Sequence, residues 1–196
     1  MAVSKFSTNS LKTPLKYSSF LAGNAAVVGT SYESIATTTV GGGGVTEITF
    51  SSIPSTYAHL QIRAILRQAN GESGQMQFNG DTATNYATHS LSGDGATATG
   101  AISTTRTTIP IERLGGLATV ANTFTGCIID ILDYKNTTKY KTVRMLSGHD
   151  ENGSGYVNLE SGLWQSTSAI TSIRFFTGGN VYGQYTQYAL YGIKGA

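Results

Sequence analysis

Residues 58–67 alternate between two faces: Leu60, Ile62, Ala64 and Leu66 on one, and His59, Gln61, Arg63 and Arg67 on the other, with Ile65 as an apolar intruder. A period of two is the mark of a strand whose two sides see different surroundings, because successive side chains of an extended chain point opposite ways. The same period returns at 45–50 and at 139–146, where Tyr140, Thr142, Arg144 and Leu146 oppose Lys141, Val143 and Met145. A helical period of 3.6 is found nowhere. Strands are therefore the elements from which this chain must build its fold.

Turn signals divide the sequence at strand-like intervals. The glycine run 41–44 separates 32–40 from 45–50, and a Pro54 corner precedes 58–67. Asn79-Gly80-Asp81 divides 75–79 from 85–91. Residues 93–100 read as a surface loop, and 101–111 as a ragged edge strand in which Pro110 limits pairing. Segment 123–132 is apolar on both faces, which predicts a central strand. After 139–146 and a loop at 149–155 come 156–165, 170–177 and 181–193. About ten strands at this spacing, without an internal repeat, predict a single antiparallel β-sandwich, jelly-roll-like, over 31–196.

Composition agrees. Charged residues make up 12% of the 196 positions, aromatic residues 10%, and there are 24 glycines amid abundant Ser and Thr. Hydroxyls rather than ion pairs must then solvate the outer faces. A net charge of +2 with scattered Lys and Arg gives no footprint for nucleic acid. No apolar stretch is long enough for a helical membrane span or a signal-peptide core, so neither a membrane nor export by that route is expected.

Residues 1–30 differ from the rest: they are aperiodic and polar, with isolated apolar residues among lysines. This segment predicts an extended N-terminal docking arm, with Lys5, Lys12 and Lys16 favouring an acidic surface and Phe6, Leu11, Leu15, Tyr17 and Phe20 anchoring in apolar grooves. Ordering such an arm costs entropy that those anchors must offset.

The catalytic and metal motifs read weakly. Cys127, the sole cysteine, excludes an internal disulfide and reads as a small buried apolar residue. His59 and His89 read as surface positions and His149-Asp150-Glu151-Asn152 as a polar hairpin loop. Asn79-Gly80-Asp81-Thr82 has too few carboxylates for calcium. Asp130, Asp133, Glu151 and Glu160 could in principle supply a carboxylate pair for glycoside hydrolysis, but no nucleophile elbow or phosphate loop is present. The expectation is no enzyme, no catalytic residue, no cofactor and no metal. Aromatic side chains remain. Trp164, Tyr182, Tyr185 and Tyr188 are the candidates for an oligomer or glycan surface, with Tyr182 and Tyr188 on one strand face and Tyr185 and Tyr191 on the other.

Two stretches resemble a module of tailed-bacteriophage virion proteins. One begins Ser31-Tyr32-Glu33-Ser34-Ile35-Ala36-Thr37 and resumes after the glycines as Ile48-Thr49-Phe50-Ser51-Ser52-Ile53-Pro54, running on to Arg63. The other is Ile173-Arg174-Phe175-Phe176 with Tyr188-Ala189-Leu190-Tyr191-Gly192-Ile193. The resemblance implies a structural protein of the virion, assembled in the host cytoplasm. A capsid decoration (cement) protein, homotrimeric and bound to the major capsid protein through the arm, is the leading expectation. The alternative is a tail fibre or tail-tip module that recognises a host surface glycan.

Overall fold

The computed structural model describes residues 31–68, 73–111 and 121–195. They form β1 (Tyr32–Thr39), β2 (Glu47–Phe50), β3 (His59–Leu66), β4 (Gly74–Phe78), β5 (Tyr86–Gly93), β6 (Ala98–Arg106), β7 (Ile109–Ile111), β8 (Thr125–Leu132), β9 (Lys141–Asp150), β10 (Gly155–Trp164), β11 (Ile173–Thr177) and β12 (Gln187–Ile193). Every strand pairing is antiparallel. The chain is all-β, and its strands form two sheets. The larger has eight strands in the order β1-β12-β3-β8-β9-β10-β5-β6, and the smaller has four, β2-β11-β4-β7. A jelly roll builds its two sheets from eight strands and two Greek keys; this sandwich is uneven, with one broad sheet and one narrow one.

The alternation read in the sequence decides which side of each strand meets the core. Leu60, Ile62, Ala64 and Leu66 of β3 are all buried, and Cys127, Ile129 and Ile131 of β8 and Val143 and Met145 of β9 continue the same inner face. Aromatic rings bridge the sheets. Phe175 of β11 stacks on Tyr188 of β12 at 4.3 Å between centroids, and Phe78 of β4 lies 5.6 Å from Trp164 of β10. Two glycines admit this close approach. A Cβ on Gly162 would lie 2.7 Å from Ile109, and one on Gly192 only 2.3 Å from the Tyr57 ring. Lys141 also turns inward, where its ammonium donates to the carbonyls of Lys139 and Thr167 at 3.0 and 3.1 Å. Burial pushes its pKa down, and the neighbouring Lys139 charge adds to this.

The edges differ from the sequence expectation. Residues 101–111 are two strands in two sheets: β6 is the edge of the broad sheet, and β7, which holds Pro110, is the edge of the narrow one. Proline has no amide hydrogen to donate, so it suits an edge with one neighbour. The expected loop 93–100 shrinks to a tight hairpin, in which Asp94 Oδ1 accepts from the amides of Ala96 and Thr97 at 2.9 and 2.7 Å. Likewise His149 and Asp150 end β9 and Gly155 opens β10, leaving a short turn with Asn152 and Gly153 at positive φ. Segment 123–132 is central in its sheet as expected, yet only one of its faces is covered. Its other face is described next.

Candidate docking face

The outer side of the broad sheet can be assembled row by row from the strand register. Directly opposed residues project to the same side, and neighbouring strands lie about 4.8 Å apart. One row runs Arg63, Ile128, Leu146, Leu159, Leu91 across β3, β8, β9, β10 and β5. Four consecutive strands thus place a large aliphatic side chain on the open side. Leu91 is 54% exposed, Leu146 51%, Leu159 50% and Ile128 43%. Covering such half-exposed side chains would gain about 1 kcal/mol each.

One row toward the β9–β10 turn, the sequence is Ile65, Gly126, Gly148, Val157, Gly93. Ile65 and Val157 stand up from the sheet, 52% and 61% exposed, with two glycines between them. Between them lies part of a shallow hollow of about 510 Å³ that includes Gly126 and Gly148 and is walled also by Arg63, Ile128, Leu146 and, on β12, Tyr191. A Cβ on Gly126 would meet nothing within 4 Å. The two rows lie side by side, one residue pair or about 7 Å apart along the strands.

A polar strip borders the aliphatic row on its other side. Gln61 Nε2 donates to Asp130 Oδ1 at 2.7 Å, and Arg144 donates to Asp130 Oδ2 at 2.8 Å. Burial pushes the Asp130 carboxyl up, but these donors outweigh it and hold it below the usual carboxylate range. Arg63 lies between two rings, 5.6 Å from Tyr32 and 5.8 Å from Tyr191. This side of the sheet therefore has an apolar centre and an ion-paired margin. That arrangement suits a protein surface better than a small ligand, for which a concave site with convergent polar groups is usual.

Of the rings expected at a surface, three are in the core. Trp164, Tyr182 and Tyr188 are buried because they fill the gap between the sheets; Tyr185 alone is exposed, at 65%. Tyr188 donates to the Tyr182 hydroxyl at 3.1 Å, and burial pushes both phenols well up. Tyr182 and Tyr188 do share one environment and Tyr185 another. Tyr188 and Tyr191 lie within β12, however, whereas Tyr182 and Tyr185 precede it, with Tyr185 at a positive φ of 71°. The arm residues Lys5, Phe6, Leu11, Lys12, Leu15, Lys16, Tyr17 and Phe20 lie outside the described residues.

The other candidate groups are occupied locally. Asp81 accepts from Ala83 N, Asn85 Nδ2 and Trp164 Nε1 at 3.0, 2.9 and 2.7 Å, and Asn79 Oδ1 caps the Thr171 and Ser172 amides. Asp150 closes its own turn through the Asn152 amide at 2.7 Å. The Asp133 amide donates to His59 Nδ1 at 3.0 Å, and the Asp133 carboxylate pairs with Lys139. Asp130 faces outward from the broad sheet whereas Glu160 is buried on its inner side. Among the described residues, no group of three or more His, Cys, Asp or Glu side chains could hold a metal ion.

Comparison with protein families, with curated proteins and with solved structures found no match to this chain in any of the three. Ile128, Leu146, Leu159 and Leu91 were absent from the sequence candidates, although the signal was there. Large aliphatic residues stand on both faces of 123–132, and Ile65 interrupts an otherwise polar side.

Proposed function

We propose that this chain is a structural, non-enzymatic protein on the outside of a tailed-bacteriophage particle, acting as a capsid decoration protein. The observation that carries the reading is the outer side of the broad sheet, where an apolar row crosses four strands within a polar, ion-paired margin. A monomer rarely leaves such a contiguous patch in water unless another surface covers it. Few charges and many hydroxyls on the remaining strands accord with a protein whose surface is largely committed to assembly. The resemblance of residues 31–63 and 173–193 to virion modules supplies the particle. In this reading segment 1–30 engages neighbouring capsid subunits, with Phe6, Leu11, Leu15, Tyr17 and Phe20 as anchors.

Counting the chain in purified particles by quantitative mass spectrometry tests this. Hundreds of copies per particle are expected of a decoration protein. A few to some tens would place it on the tail, and absence from particles would refute a virion role. Deleting residues 2–25 is expected to leave a folded sandwich that no longer binds capsids. Full occupancy by the truncated chain would overturn the part given to the segment.

A further inference from the structure

A sheet edge is a row of unpaired amides and carbonyls, and proteins normally shield it with charge, proline, a bulge or brevity. Among the described residues, three of the four sheet edges are shielded in this way. β1 carries a bulge between Ser34 and Ala36 and the Glu33–Lys194 ion pair. β2 has four residues, with Glu47 held by Arg174, and β7 has three, with Pro110 among them. β6 is the exception. It runs for nine residues with no proline and no charge before Arg106, and its irregularity comes only after Ser103. Ala98 to Ile102 are exposed on both sides of the sheet, Ile102 at 63%. The Asp94 amide donates to the Thr97 carbonyl at 3.3 Å. Backbone direction alternates along a strand, so Thr99, Ala101 and Ser103 also turn toward β5, while Ala98, Gly100 and Ile102 turn their amides and carbonyls outward. We propose that this edge pairs, antiparallel, with β6 of a second copy about a twofold axis through Gly100.

An isologous contact must be complementary to itself, residue pair by residue pair. This register sets Gly100 opposite Gly100 of the second copy, and Ala98 opposite its Ile102 in both directions. All of these turn their backbone groups outward, so three pairs exchanging two bonds each give about six hydrogen bonds. On the outer side each Ile102 meets an alanine beside the central glycines. On the inner side each Thr99 meets Ala101. Large thus faces small throughout, and no like charges are opposed. A foreign strand is less well served. Strand addition takes its choice of partner from pockets for alternate side chains, and Ala98, Thr99, Gly100 and Ala101 are too small to wall any. The inner sides of Thr99 and Ala101 are exposed, so the narrow sheet stops short of β6 and leaves room for the second copy. Because the axis stands normal to the sheet, both outer sides face the same way. Gly100 lies opposite Leu91, so the two aliphatic rows meet end to end across the seam.

One edge strand buries less than a standard interface, so the dimer is expected to be weak and reversible. The pairing is twofold, whereas the resemblance implies a trimer. Sedimentation of the full chain, from micromolar to near-millimolar loading, is expected to approach twice the 20.6 kDa of one chain. Over the same range hydrogen exchange is expected to slow at the Ala98, Gly100 and Ile102 amides and to stay unchanged at Thr99 and Ala101. Gly100→Pro is the decisive variant. The Gly100 amide takes no part in the β5–β6 bonds, a Cβ there meets only the Ser90 carbonyl at 3.8 Å, and its φ is not left-handed. It is expected to weaken dimerisation at least tenfold, with unchanged circular dichroism and Trp164 emission. Ile102→Lys, at an exposed side chain, is expected to do the same, whereas Leu146→Asp is expected to leave the dimer intact. A wild type that is monomeric at every loading, or trimeric, would overturn the pairing. So would a dimer indifferent to both edge variants, or one whose three outward amides exchange freely. A virion role would survive any of these results, because it is tested by copy number.

Discussion

The Asp81 carboxylate ties a turn to a distant strand, since its donors are the Ala83 amide, the Asn85 side chain and the indole of Trp164. Burial alone would push this carboxyl up; the three donors outweigh burial and leave it below the usual carboxylate range. A lowered folded-state pKa contributes stability above the unfolded value of about 3.9, and the contribution fades as pH falls through the lower folded value. Urea unfolding followed by emission of Trp164, the sole tryptophan, is therefore expected to show stability declining across that acid range. Asp81→Asn should flatten the decline, and a profile parallel to wild type would remove Asp81 as its source. Asp81→Ala should cost about 1–3 kcal/mol at neutral pH, because the buried indole donor loses its acceptor. Cys127 illustrates the opposite case. Burial pushes its thiol up to about 12, so a thiol reagent at mildly alkaline pH is expected to label the unfolded chain and spare the native one. The cysteine's burial was legible from its apolar neighbours. The role of Asp81 was not, because its indole partner lies 83 residues away and a turn signal says nothing of tertiary partners.

Strands were legible wherever one side meets the core and the other meets water. β3 and β9 follow their predicted alternation, and β2 does so over a shorter span. Legibility failed where the outer side is also apolar. In β8 both sides look like core, so the sequence predicts burial twice, whereas the register leaves Ile128 and Leu132 exposed. The division between β6 and β7 was hidden for another reason: a link of two residues carries no turn signature of its own. Glycines within strands can be tested in opposed pairs. Gly192→Ala places a methyl 2.3–2.4 Å from atoms of the Tyr57 ring, and overpacking of this kind is expected to cost about 1–3 kcal/mol. Gly126→Ala meets open space, and a strand relieved of an interior glycine is expected to gain about 0.5–1 kcal/mol. Urea midpoints of the two variants should therefore shift in opposite directions. Shifts of the same sign would mean that the Tyr57 ring yields to the methyl.

At the scale of the molecule, the pairings that complete the broad sheet join residues far apart in sequence. β12 lies between β1 and β3, with Tyr32 opposite Ile193 and Gln61 opposite Tyr191. The loops closed by such pairs are long, and chains dominated by non-local contacts fold in milliseconds to seconds. Stopped-flow refolding monitored by Trp164 emission is expected to fall in or beyond that range, and a microsecond phase carrying the full amplitude would contradict it. Strand order was never legible in the sequence, because alternation assigns sides and not neighbours. The Tyr32–Ile193 pair also fixes how the molecule bears load. The chain enters and leaves the sheet at one corner, on adjacent antiparallel strands. Tension between the segment before Tyr32 and the residues after Ile193 would break the β1–β12 hydrogen bonds one at a time, as a zipper opens. Tension between segment 1–30 and a partner gripping the sheet's outer side would not meet that weak seam end-on. A particle that holds this protein by those two places puts its strain where many bonds share it.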